Sequence, residues 1–154
     1  MPLTRDDDIR ELLTSARTIA VFGCSDRPDR PSYGVSAFLQ RHGYRMLPVN
    51  PQITGERVHG EFVWRDLGQI GVPIDIVDIF RRSEMALEAV EQAIFVGAKA
   101  VWMQIGVINE EAAAKAEAAG LKVVMDRCPK IEIPRLGLPP LQPGEGDSRD
   151  ARAG

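Results

Sequence analysis

Four short clusters in this chain combine residue types suited to holding an anionic ligand. They are Gly23-Cys24-Ser25 with the following Arg27, Arg30, Pro31 and Ser32; Asn50-Pro51; Phe80-Arg81-Arg82; and Gln104-Ile105-Gly106. In the first, the apolar run Ile19 to Phe22 meets Gly23, and a loop of Asp, Arg, Pro and Ser leads into a helical pattern. A strand that feeds a helix through a glycine lets backbone approach a bound group. The orphan N–H groups and dipole of the helix start then favour negative charge. Ser25 offers a hydroxyl, and Arg27 and Arg30 offer charge in a loop stiffened by Pro28 and Pro31. Together these types point to a phosphorylated nucleotide. The plainer alternative is that Gly23 permits a tight turn, Ser25 bonds its own loop and the arginines face water.

The other clusters read in the same two ways. Asn50-Pro51 is either a simple turn or, with Val49, a flat apolar contact for an adenine. Arg81 and Arg82 form a second anion site beside the helix that Ser83 is expected to cap, or pair with Asp75, Asp78 and Glu84. Gln104 is either a ligand contact or a core-edge amide, and Gly106 would let backbone come close to a ligand. All four clusters end apolar runs, and ligands of open α/β sheets sit beyond the carboxyl ends of the strands. Residues far apart in sequence are therefore expected to converge.

A nicotinamide dinucleotide fits less well. Its fingerprint is G-x-G-x-x-G followed roughly 20 residues later by an acid for the ribose. Here the loop reads G-C-S-D-R-P and the second strand ends in Asn50-Pro51. Covalent chemistry would need a base near Cys24. A helix start would favour its thiolate, but His42 and His59 lie elsewhere in the sequence, so no catalytic residue is assigned. The dispersed cysteines Cys24 and Cys128 and the two histidines exclude a metal site of ordinary spacing.

The elements that must position these clusters are legible. Thr4 is expected to cap a first helix carrying Ile9, Leu12, Leu13 and Ala16. Ile19–Phe22 is a strand, Ser32 or Tyr33 to His42 a helix closed by Gly43, and Tyr44–Val49 a second strand. Residues 52–70 form an extended excursion and a helical turn near Asp66–Gln69. Ile74–Phe80 is the third main strand, Glu84–Val96 a helix, Ala100–Gln104 the fourth strand. An alanine-rich helix from Asn109 to Gly120 and a strand from Leu121 to Met125 complete the pattern. Five strands alternating with helices predict a Rossmann-like, doubly wound, mostly parallel α/β sheet of order 3-2-1-4-5 with helices on both faces. Residues 1–137 form a single domain, and 138–154, rich in Pro, Gly and charge, form a disordered tail.

At 154 residues with 44% hydrophobic content the chain is long enough for one real core. A net charge of −3 argues against nucleic acid as a partner. No apolar run nears the roughly 20 residues of a membrane span, and TRDDDIRE is no signal peptide. A reducing cytoplasm is the expected location.

The runs RPSYGVSAFLQRHGYRMLPVNPQITGE, PIDIVDIFRRSE and GAKAVWMQIGVINEEAAAKAEAAGLKVVMDRCPKIE resemble the small stand-alone CoA-binding domain proteins. These are similar to the N-terminal nucleotide-binding domain of the succinyl-CoA synthetase α subunit. The resemblance implies a domain holding coenzyme A or an acyl-CoA. The pyrophosphate would lie over Gly23, Cys24 and Ser25, and the adenosine near Asn50, Pro51, Phe80 and Arg81. Gln104, Ile105 and Gly106 correspond to the fourth-strand turn. Two departures stand out: Cys24 replaces a small alanine, and no lysine follows Pro51, so Arg27, Arg30 or Arg82 would have to meet the 3′-phosphate. The domain bearing the synthetase's phosphorylated histidine has no counterpart here, so ligase activity is not implied. The leading expectation is thus a non-catalytic CoA-binding protein that carries or senses CoA or an acyl-CoA, or presents the thioester to an acyl-CoA-using partner. The alternatives are an NADP-dependent oxidoreductase and an interaction module whose nucleotide site has decayed.

Overall fold

A computed structural model describes residues 1–53 and 55–142. The strands are β1 (Thr18–Phe22), β2 (Arg45–Val49), β3 (Arg57–Val58), β4 (Glu61–Phe62), β5 (Ile76–Ile79), β6 (Ala100–Met103) and β7 (Lys122–Val124). The helices are α1 (Asp6–Ser15), α2 (Pro31–Arg41), α3 (Ala86–Phe95), α4 (Glu110–Ala118) and α5 (Pro129–Arg135). β3 and β4 pair as a small antiparallel hairpin, the expected excursion. The five main strands form one sheet of order β2-β1-β5-β6-β7, and every pairing in it is parallel.

The sheet class is as expected, but one strand is placed differently. The third main strand, β5, pairs with β1 instead of lying outside β2. The outer edge of β2 is taken by Trp64, whose N–H donates to Pro48 O at 3.0 Å and whose carbonyl accepts from Asn50 N at 2.8 Å. With that edge covered, β5 crosses to the other side of β1. The result is the other common doubly wound order, whose reversal point falls between β1 and its new neighbour.

β1 is buried along its whole length because it is covered on both faces. Ile19 and Val21 face a core shared with α1, α2 and α5, whereas Ala20 and Phe22 face α3 and α4. Alanines at Ala89, Ala93, Ala112 and Ala116 fill the second core, so those helices lie close on the sheet.

Several local expectations change. Thr4 does not cap α1; the N-cap is Arg5, without a side-chain bond, and Asp6, Asp7 and Asp8 occupy the first turn. Ser83 opens a 3₁₀ turn (Ser83–Met85) and caps no helix; its hydroxyl bonds across to the segment after β6. Asn109 does cap α4, accepting from Ala112 N at 2.9 Å. Helix α5 was not foreseen. It is clasped to α1: the Arg135 guanidinium bonds both Asp6 carboxylate oxygens at 2.9 and 3.2 Å, and Arg10 donates to Leu136 O at 2.8 Å.

Of the expected tail, Leu138 and Leu141 pack against the core, and Leu141 N–H donates to His42 O at 2.9 Å. Residues 143–154 lie outside the described residues. Among the described residues no helix is long and apolar enough to cross a membrane.

Candidate functional site

A cleft of about 1000 Å³ opens beyond the carboxyl ends of β1, β2, β5 and β6, across the reversal point. Gly23, Ser25, Arg27, Arg30, Pro31, Ser32, Asn50, Phe80, Arg81, Arg82, Gln104, Ile105 and Gly106 all line it. The structure thus brings the four sequence clusters together. Cys24 and Pro51 do not line it, and the flat contact expected from Pro51 is not offered to the cleft.

Gly23 has φ +90°, and a Cβ there would sit 2.1 Å from the Phe80 carbonyl oxygen. Its first duty is therefore to let β1 turn against the end of β5, so a bulkier residue would strain the fold before it met any ligand. The N–H groups of Gly23 and Cys24 donate to Val49 O at 2.7 and 3.1 Å, and Ser25 N–H donates to Ser32 Oγ at 2.9 Å. These peptide donors, expected to point at a phosphate, are engaged within the protein.

What remains for an anion is mainly side-chain chemistry. Ser25 Oγ and Ser32 Oγ each accept one backbone N–H, from Arg27 and Ser25 respectively. A hydroxyl that accepts still has its proton to donate. Arg81 lies across the Phe22 ring, its guanidinium carbon 5.8 Å from the centroid, with its stem beside Gly23. Arg27, Arg30 and Arg82 are exposed. Arg82 comes within 3.8 Å of Glu84, a solvent-exposed pair of little energetic weight. Asp75 sits at the opposite end of the sheet, accepting from the backbone N–H groups of Arg17 and Thr18 at 2.8 and 3.1 Å. Among the described residues no Asp or Glu lines the cleft.

Asn50 is an organiser. Its amide nitrogen donates to Cys24 O at 2.9 Å and its amide oxygen accepts from Gln52 N at 2.9 Å. The turn after β2 is thereby tied to the turn after β1. Gln104 is buried beside Asp78; with its amide turned so that the nitrogen faces the carboxyl group, it donates to Oδ1 and Oδ2 at 2.8 and 3.1 Å. Asp78 is wholly buried, and that burial holds its carboxyl well above the usual carboxylate range. Gly106 offers no spare donor, since its N–H is bound to Asp126 Oδ1 at 2.8 Å.

Cys24 is fully buried, with Sγ 3.6 Å from Ser36 Oγ, and burial pushes its thiol up to about 11. Burial here outweighs the lowering that a helix start would bring. His42 stacks between Phe38 and Tyr44, and His59 packs on Tyr33; neither lines the cleft. Among the described residues no group of three or more His, Cys, Asp or Glu side chains could hold a metal ion.

Val35, Gln52, Met85, Val107, Cys128 and Ile131 also line the cleft and were missed by sequence reasoning. The signal for the last pair was present. Pro129 opens α5 just after a strand end, repeating the order by which Pro31 opens α2.

Residues 17–134 match the family model described as a CoA binding domain. The Bacillus subtilis (strain 168) protein YneT, named there as uncharacterized, is 42% identical over 124 residues, covering 80% of this chain and 90% of that one. A hypothetical protein from Pyrococcus horikoshii OT3 superposes with a TM-score of 0.83 at 41% identity, covering 88% of this chain and 96% of that one. Cell-free ID.343 from Thermus thermophilus superposes with a TM-score of 0.82 at 36% identity, covering 86% and 99%. The family match runs from the start of β1 into α5, across every strand end that builds the cleft, and the chain belongs to the CoA binding domain family.

Proposed function

We propose that this chain binds coenzyme A or an acyl-CoA in the cleft and has no catalytic apparatus of its own. One observation carries the reading: in a chain of net charge −3, the described residues lining the cleft include Arg27, Arg30, Arg81 and Arg82 and no carboxylate. Such a concentration of positive charge in a concave site draws in a polyanion. CoA, with a pyrophosphate and a 3′-phosphate, is the polyanion its family supports.

The pyrophosphate lies at the turn after β1, between the Ser25 and Ser32 hydroxyls and Arg81. The adenosine lies toward the ends of β2 and β5, near Asn50 and Phe80. The loop bearing Arg27 and Arg30 leans to that side, since Asp26 Oδ2 would stand 2.8 Å from a Cβ on Gly55. The 3′-phosphate is therefore assigned to Arg27 or Arg30. With Cys24 buried and both histidines elsewhere, the chain serves by holding the thioester for an acyl-CoA-using partner. Two buried, unpaired cysteines fit a reducing compartment such as the cytoplasm.

Calorimetric titration with CoA, dephospho-CoA, NADPH and ATP tests this. Submillimolar CoA binding is expected. Either Arg27→Ala or Arg30→Ala should weaken CoA about tenfold while changing dephospho-CoA far less, and Arg81→Ala should weaken both alike. Equal losses in Arg27→Ala and Arg30→Ala for the two ligands would move the 3′-phosphate elsewhere. Preference for NADPH would favour the oxidoreductase reading, and silence with every ligand the decayed module. Thiol release from acetyl-CoA above the buffer rate would refute the absence of catalysis.

A further inference from the structure

We propose that the end of the cleft between the turn after β6 and the start of α5 is a subsite for the acyl chain of a thioester, selecting chains of several apolar carbons. This rests on the CoA reading above and adds the class of acyl group.

The cleft is divided by chemistry. Arg27 and Arg30 come from the segment after β1 and Arg81 and Arg82 from the start of the segment after β5, whereas Met85, further along that segment, joins Ile105, Val107 and Ile131 in an apolar lining. Three of these are exposed: Met85 by 39%, Ile105 by 58% and Ile131 by 52%. Single exposed apolar side chains need no explanation, but several around one concavity mark a surface that something apolar covers. Ile108, 49% exposed, extends the same rim just beyond Val107.

That rim is held in shape before any ligand arrives. Ser83 Oγ donates to Gly106 O at 3.1 Å and accepts from Ile108 N at 2.9 Å, and Asn109 Nδ2 donates to Ser83 O at 2.8 Å. From the other side, Asp126 Oδ1 holds Gly106 N–H at 2.8 Å. The 3₁₀ turn bearing Met85, the β6 turn bearing Ile105 and the Asp126 segment that leads into α5, where Ile131 lies, are thus tied into one frame. A preformed wall is the kind that rewards a chain without a large ordering cost.

Direction follows from the nucleotide. With the pyrophosphate at the middle of the cleft and the adenosine toward β2, the thiol arm has to run the other way, toward β6 and β7. Its sulfur then delivers whatever it carries to the apolar rim. Met85, Ile105, Val107 and Ile131 offer an acyl group neither charge nor a hydrogen bond, and Arg82 at the edge of this rim is exposed to water, so an apolar chain is the occupant that fits these four side chains.

The test is a calorimetric series of CoA, acetyl-CoA, butanoyl-CoA and hexanoyl-CoA on the full chain. Affinity should climb from acetyl to hexanoyl, by up to about fourfold for each methylene buried. In Ile131→Asn, whose side chain is half exposed and so tolerates the change, the ratio of hexanoyl-CoA to acetyl-CoA affinity should fall toward one. A flat series with CoA still bound overturns the subsite and leaves the CoA reading intact. So does a ratio in Ile131→Asn as large as in the unaltered chain. Failure of every CoA species to bind overturns both.

Discussion

Asp78 lies in the middle of the sheet, in register with Val21 on one side and Trp102 on the other, with no exposure at all. A carboxylate in such a place is costly unless neutral or fully bonded, and the Gln104 amide, turned with its nitrogen toward it, is the side-chain partner within reach. Because burial raises its pKa in the folded chain, the fold binds this proton more tightly than the unfolded chain does. The stability that proton confers is present below the ordinary carboxylate pKa and is lost as pH rises through the folded value. Asp78→Asn keeps the shape and a bond to Gln104 without the charge. It should raise stability at neutral pH by about 1 kcal/mol or more, with the gain shrinking toward about pH 4. Thermal unfolding across pH reads this, and a variant less stable at neutral pH would mean the carboxylate is well satisfied where it sits. Gly23 belongs to the same scale: its lack of a Cβ is demanded by the Phe80 carbonyl, so substitutions there report packing first.

Among the elements, the Ser83 turn does the most for the site with the fewest residues. Ser83→Ala removes one bond accepted from Ile108 N–H and one donated to Gly106 O. A loss of about 1 kcal/mol is expected in denaturant unfolding, with faster hydrogen exchange at Ile108. Unchanged exchange there would show that Asp126 alone positions the loop. The strands and the larger helices were legible because their apolar periods and Gly stops are local signals, as at Gly43 and Gly97. The strand order was not, because it depends on Trp64 covering the edge of β2, a contact made by an irregular segment with no period of its own. Helix α5 was hidden by its composition: Pro129 and Pro134 frame a stretch that reads as loop until its packing on α2 and α1 is seen. The site clusters were legible as strand ends, yet which groups face the cleft was not. That outcome was fixed by hydrogen bonds formed only in the folded chain, such as those from Gly23 and Cys24 to Val49.

At the scale of the molecule, charge and hydrophobicity are segregated along one cleft. The wall formed by α5 is held in part from α1, where Asp6 takes Arg135 and Arg10 takes the Leu136 carbonyl. Arg135 also bonds Glu132, which in turn takes Arg127, so the start and end of α5 are fixed through one buried carboxylate. Arg10→Ala with Asp6→Ala should therefore loosen Ile131 and weaken hexanoyl-CoA by a few-fold, though neither residue lines the cleft. Calorimetry on the double variant measures it, and unaltered affinity would show α5 to be seated by its core contacts alone.

Linkage works in both directions. If fastening the first helix tightens a cargo's grip, then a loaded cargo must fasten the first helix. Protease cutting within residues 6–15 should slow when hexanoyl-CoA is bound, so occupancy of the cleft would be readable at a helix that does not line it.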